Sequence, residues 1–331
     1  MATEQKHWIG FDLGGTKMLA TVFNHKFEKV GKARKKTKGH EGMKSGLARI
    51  NETIAEAMEE AKISKSDIGG LGIGCPGPLD LEKGKIRQAP NLGWENVPVR
   101  SSIEDKFGFP VEVANDVDAG VYGEYKFGAG KNKRCVVGIL PGTGIGGGCV
   151  YEGKLIRGAK CSCMEIGHIP IVSDGPLDGA GNIGSLESVG SRLSIAGAAA
   201  QAAYRGQAPA LMEKAGTDIR DIRSGALAHS VKEGDEMVEK IIKRAAEKIG
   251  LGIVTIVHLL APDLIVLGGG LVEAMPDVFT STAEKFAKKR VLDSMKDVFS
   301  VVPAKLGDDA GVLGAAGLGY LKAVGKEYER K

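Results

Sequence analysis

No apolar run in this chain can span a membrane. The longest, residues 249–261, is interrupted by Thr255 and His258 and falls short of the ~20 residues a transmembrane helix needs. The N-terminus lacks an apolar signal core, so the cytoplasm is the expected compartment and no membrane partner is expected. Cysteine is sparse and odd in number: five residues, Cys75, Cys135, Cys149, Cys161 and Cys163. That argues against a disulfide framework and fits a reducing environment. Neither sign of charge dominates, with 45 Lys and Arg against 41 Asp and Glu. The densest basic run, residues 32–38, reads as a solvated loop or strand edge, and no nucleic-acid partner is expected. A low-complexity linker is missing as well. The 331 residues are enough for about two domains, so two lobes joined by packed segments are expected, with a cleft between them. Also absent is the phosphate-binding pattern G-x-x-x-x-G-K-[ST], which feeds a strand into a helix.

What the chain has instead is Ile9-Gly-Phe-Asp-Leu-Gly-Gly-Thr-Lys17. An apolar run ends in a carboxylate, two glycines, a hydroxyl and an ammonium. Gly14 and Gly15 let main-chain N–H groups approach anionic oxygens, and Thr16 and Lys17 add a donor and a charge. Asp12 would be repelled by a phosphate, so its natural partner is Mg²⁺ or the water around it. Residues 18–23 favour a strand again, which predicts a β-hairpin with the phosphate loop at its bend. The device recurs: residues 135–140 lead into Pro141-Gly-Thr-Gly-Ile-Gly-Gly-Gly148 and then a strand at 149–151. Gly142, Gly144 and Gly147 satisfy G-x-G-x-x-G, but that fingerprint must open a helix, and here a strand returns. Two such loops point to two related halves clamping one polyphosphate.

Between the loops, Leu47, Ile50, Ile54, Met58 and Ala61 recur at helical spacing, and residues 71–73 read as a strand entering the stiff turn Gly74-Cys-Pro-Gly-Pro78. Strand, strand, helix, strand is an α/β order. Val111 and Val113 predict a strand ending at Asn115-Asp116, with a helix after it. Ligands gather beyond the carboxyl ends of such strands, yet Asn and Asp are also preferred helix N-caps, and the local sequence fits both roles. Further on, a buried helical stripe from Met237 to Ile256 must stop before Pro262. The strand at 264–267 enters Gly268-Gly-Gly270, which suits an adenine or ribose lying on bare backbone, or a tight packing turn. Residues 308–316 open a small-residue helix expected to pack closely on a neighbour.

Taken in order, Asp12-Leu-Gly-Gly-Thr-Lys17, Ala114-Asn-Asp116, Gly142-Thr-Gly-Ile-Gly-Gly-Gly148, Glu165-Ile-Gly-His168, Glu187 and the strand-loop 264–270 resemble the motifs of ROK-family sugar kinases, most closely the bacterial glucokinases. The resemblance implies a duplicated actin-like, hexokinase-type (RNase H-like) α/β fold. Its lobes would run over 1–115 with about 308–331, and over 116–307. It implies ATP and Mg²⁺ and a hexose acceptor, most simply glucose. Asp12, Gly14, Gly15, Thr16 and Lys17 with Gly142, Thr143, Gly144, Gly146 and Gly147 would hold phosphates, Asp12 facing Mg²⁺ indirectly. Gly268, Gly269 and Gly270 would lie near the adenosine. Asn91, Asn115, Glu165, His168 and Glu187 would bind sugar hydroxyls, and Asp116 would be the catalytic base. A homodimer or homotetramer is implied too.

The sequence departs from the family where many members carry C-x-C-G-x-x-G-C-x-E, a segment that binds structural zinc together with the histidine. Here Asp178, Ala180 and Ser185 stand at the cysteine positions. Structural zinc takes four ligands, so no zinc site is expected, and what fixes residues 174–187 is left open. A displaced site from Cys161, Cys163, His168 and Asp178 rests only on C-x-C, and ordinary free thiols are the expectation. Other readings stay open: another hexose or an N-acetylhexosamine as acceptor, inorganic polyphosphate as donor, or a non-catalytic sugar-sensing member. ROK repressors resemble this fold with a helix-turn-helix in front, and only eight residues precede Ile9, so a kinase is expected.

Overall fold

The expected hairpin forms: strand β1 (His7–Leu13) turns through Gly14, whose N–H donates to Lys17 O at 3.0 Å, into antiparallel β2 (Lys17–Phe23). The computed structural model describes residues 6–159 and 163–328. Cys161, one of the thiols considered for a displaced metal site, lies outside them. After β2 come β3 (Lys29–Lys36), helix α1 (Met43–Glu60), strands β4 (Ile68–Cys75), β5 (Leu79–Asp80), β6 (Lys85–Ala89) and β7 (Trp94–Val97), α2 (Val99–Phe107), β8 (Val111–Asn115) and α3 (Asp116–Phe127). The chain continues through β9 (Cys135–Pro141), β10 (Ile145–Tyr151), β11 (Lys154–Leu155), α4 (Leu186–Gly190), α5 (Arg192–Tyr204), α6 (Pro209–Ala215), α7 (Ser224–Lys232) and α8 (Glu236–Leu260). It ends with β12 (Leu264–Leu267), α9 (Gly270–Ala274), α10 (Pro276–Lys288), β13 (Ser300–Pro303) and α11 (Ala310–Val324).

Two compact units result: Met1–Lys131 with Cys149–Cys163 and Asp308–Lys331, and Asn132–Gly148 with Met164–Gly307. In the first, the sheet is ordered β3-β2-β1-β4-β8, with β1, β4 and β8 parallel. The basic run lies on its edge strand β3, where charged side chains alternate outward and oppose unwanted edge pairing. One sheet face is covered by the apolar stripe of α1, and Ile50, Ile54 and Met58 are buried there. The other takes α11, whose small residues permit backbone-to-backbone approach. A Cβ at Gly72 would collide with Ala315 O, and one at Gly314 with Ala119 O. Because α3 packs on α11 in this way, it stays with the first unit, and the division falls after Lys131, later than the expected 115.

The second sheet is ordered β11-β10-β9-β12-β13, with β9, β12 and β13 parallel and within the second unit. Helix α8 runs 25 residues with Val238, Ile242, Ala245, Ile249, Ile253 and Ile256 inward. It ends as expected before Pro262, where Ala261 adopts a left-handed conformation (φ 43°) and closes the last turn onto Val257 O. Among the described residues no helix is long and apolar enough to cross a membrane.

Candidate active site

In the first unit, strand register aligns the candidate phosphate and base residues. Asp12 on β1 is opposite Gly74 on β4, and the next residue, Cys75, is opposite Asn115 on β8. Two strand spacings separate Asp12 from Asn115, about 10 Å, at the carboxyl ends of three parallel strands. Asn115 is indeed the N-cap of α3: its side chain accepts from Val117 N at 2.9 Å and Asp118 N at 3.3 Å. Capping engages only the amide oxygen, so the Nδ2 donors remain chemically distinct from it. Asp116 begins the helix, half-buried, with its own Oδ1 accepting from Val117 N at 3.0 Å. The buried Cys75 thiol between the two acids is pushed well up by burial, and further by the charges of Asp116 and Asp12.

The tip of the first loop, Gly15-Thr-Lys17, is exposed. Asn91 leans over it, so that a Cβ at Gly15 would lie 2.8 Å from Asn91 Nδ2. That placement starts in the core, where the Trp94 ring fills the space above Gly46 and donates to Gly39 O at 3.1 Å, fixing the turn that carries Asn91. A cavity of about 490 Å³ opens here, lined among others by Gly15, Thr16, Lys36, Lys38, His40 and Asn91. Read as solvated charge, the basic run thus supplies cations beside the loop, a role that spacing alone did not reveal. Burial raises the carboxyl of Asp12 above its ordinary range; Lys17 opposes the shift and Asp308 adds to it. A buried carboxylate with a second acid nearby fits a divalent cation better than a bare phosphate.

In the second unit, β9 and β10 meet at the second loop, where Gly142 N–H donates to Gly144 O at 2.8 Å and no helix follows. Glu187, near the start of α4, reaches it: Oε2 accepts from Ile145 N at 2.9 Å, close enough that a Cβ at Gly144 would strike it. Its Oε1 accepts from Gly179 N at 3.1 Å. One carboxylate therefore ties the β9–β10 loop to the loop before α4. A residue missed in the sequence lies beside it. Arg192, at the start of α5, donates to Thr143 Oγ1 at 2.8 Å and lines a cavity of about 570 Å³ with Arg220, Arg223 and Ser224. Its only sequence signal is the cap serine before it. Side chains at Gly268 and Gly269 would meet Leu140 and Pro141, at the end of β9. Gly270 instead faces Ser224.

His168 ends a 3₁₀ turn whose N-cap is the exposed Glu165. Its Nδ1 lies 2.8 Å from Asp178 Oδ2, and the side chain is 36% exposed. The hydrogen bond to Asp178 raises its pKa, burial pulls it down, and the charges of Asp178, Glu187 and Glu165 raise it further. Burial pushes Asp178 up, but hydrogen bonds from His168 and Asn182 outweigh it and hold the carboxyl far below its usual range. His168, Asp178 and Glu187 offer donor atoms within 4.8 Å of one another. All three are nevertheless engaged with protein hydrogen-bond partners.

The predicted residues thus form two sets. Asp12 to Lys17, Asn91, Asn115 and Asp116 belong to the first unit, and Gly142 to Gly147, Glu165, His168, Glu187 and Gly268 to Gly270 to the second.

The ROK family model matches residues 8–320, and the chain belongs to the ROK family. It is 31% identical over 313 residues to a glucokinase of Thermotoga maritima, covering 94% of this chain and 96% of that one. It is 28% identical to a xylose repressor of Caldicellulosiruptor bescii, over 92% of this chain and 76% of the repressor. Among solved structures it is similar to a ROK family glucokinase from Streptomyces griseus in complex with glucose and AMPPNP. The TM-score is 0.79 and the identity 29%, with 95% of this chain and 99% of that one covered. The fold is the actin-like, hexokinase-type α/β fold that the motifs implied.

Proposed function

We propose that this chain is a sugar kinase that transfers the γ-phosphoryl group of ATP to a hexose, with glucose as acceptor and glucose 6-phosphate as product. The observation that carries the reading is the register placing Asp12 and its glycine loop beside Asn115-Asp116 on parallel strand ends. Phosphoryl transfer through a loose transition state is chiefly positioning and charge stabilisation. The loops at Asp12 to Lys17 and Gly142 to Gly147 hold the phosphates, and Gly268 to Gly270 lie near the adenosine. Bound through water at Asp12, Mg²⁺ would neutralise phosphate charge. Asn91, Asn115, Glu165, His168 and Glu187 pair with sugar hydroxyls, each of which donates and accepts. Asp116 accepts the hydroxyl proton as the oxygen bonds to phosphorus, since a carboxylate is too weak a base to remove it beforehand.

Relatives named as glucokinases and a solved glucokinase holding glucose and AMPPNP support this reading. The repressor relatives favour a second one, a sugar sensor without catalysis. The deciding experiment follows ADP release from MgATP against a panel of hexoses that includes N-acetylmannosamine and N-acetylglucosamine, with a no-sugar control and polyphosphate as alternative donor. A strong response to one hexose is expected and names the acceptor. Activity with polyphosphate alone would move the donor, and no response with either donor would favour the sensor.

A further inference from the structure

Asp178 is a polar hub with no solvent exposure of its side chain. Its Oδ1 accepts from Ala180 N and Asn182 N, both at 2.9 Å. Its Oδ2 accepts from Asn182 Nδ2 at 3.2 Å and meets His168 Nδ1 at 2.8 Å. Ala180, one of these partners, and the buried Ser185 share with Asp178 the positions at which the zinc-binding segment would carry cysteine. The residues present do not fit zinc: alanine has no ligand atom, and Asp178 is turned toward hydrogen-bond donors rather than toward three other ligands. An ionised carboxylate can only accept, so His168 Nδ1 must carry the proton and Nε2 is the ring's remaining polar atom.

We propose that Asp178 is a positioning residue of this site, a hydrogen-bonded carboxylate doing what zinc does in cysteine-bearing members. It fixes loop 174–187 and holds His168 as the Nδ1–H tautomer, leaving Nε2 to meet a sugar hydroxyl. The sugar contact rests on the kinase reading; the tautomer does not.

The test is Asp178→Asn. The remaining oxygen keeps the main-chain donors of Ala180 and Asn182, while the new NH₂ faces His168 Nδ1 and drives the ring proton to Nε2. The melting temperature should stay within a few degrees of the parent's. KM for the sugar should rise about 5–150-fold, with kcat changed far less. Nitrogen-15 spectra of the histidines near pH 9, where imidazole is neutral, should show Nδ1 protonated in His168 of the parent and Nε2 protonated in the variant. An unchanged KM with an active parent, or a parent ring protonated at Nε2, overturns the proposal, as does stoichiometric zinc in protein purified without added metal. If the parent phosphorylates no sugar, the kinase reading fails while the parent spectrum still decides the tautomer. That spectrum also decides it should the variant fail to fold.

Discussion

Asn115 and Asp116 are neighbours with different work. Asn115 spends its amide oxygen on the first turn of α3, and in the proposed reaction the carboxylate of Asp116 is the base. Asp116→Asn keeps the volume and a hydrogen-bonding side chain but removes the base. Turnover should fall by roughly two to four orders of magnitude, with a melting temperature close to the parent's. Near-normal steady-state turnover in the sequence-verified variant would remove Asp116 from the role. Local sequence could not choose between cap and base, because helix N-caps and strand-end catalysts draw on the same short polar residues. The register of β1, β4 and β8, which sets Asp12 near that strand end, is what supports the catalytic reading beside the cap.

At the scale of elements, the connection that matters is Glu187, which links the β9–β10 loop to the loop before α4. Glu187→Gln leaves one oxygen for two main-chain donors and turns an N–H toward the other, a mismatch costing about 1–3 kcal/mol. Because both loops lose support, KM should rise several-fold for the nucleotide as well as for the sugar. Initial rates with each substrate varied in turn would show it, and a change confined to the sugar would reject the link. Much of this level was legible in the sequence. The hairpin glycine loops, the α1 and α8 stripes and the close-packed C-terminal helix all follow from local pattern and residue size. The Asp178 hub and the Arg192–Thr143 contact were not, since each joins segments whose pairing depends on where loops without periodicity come to rest.

For the molecule as a whole, the His168–Asp178 pair makes stability depend on pH. The folded pKa of His168 lies above its ordinary 6.5, so its contribution is complete below pH 6.5 and is lost as pH rises through the folded value. The folded pKa of Asp178 lies below its ordinary 3.8, so its contribution is complete above that value and is lost as pH falls through the depressed one. The melting-temperature gap between the parent and Asp178→Asn should therefore be wider near pH 5.5 than near pH 9. A gap constant across that range would show that charge plays no part in it. The C-terminal helix has a consequence of another kind, in the time a ribosome takes to make the chain. Gly10 and Gly72 present a sheet face shaped for α11, but β1 begins at His7 and α11 starts only at Ala310. At 5–20 residues per second, that cover arrives roughly 15–60 s after β1 is made. Throughout that interval the nascent first sheet has one bare apolar face, and by its end every strand and helix of the second unit has been synthesised. Translation therefore completes the second unit first, and the first unit is the one whose apolar sheet face stays uncovered longest.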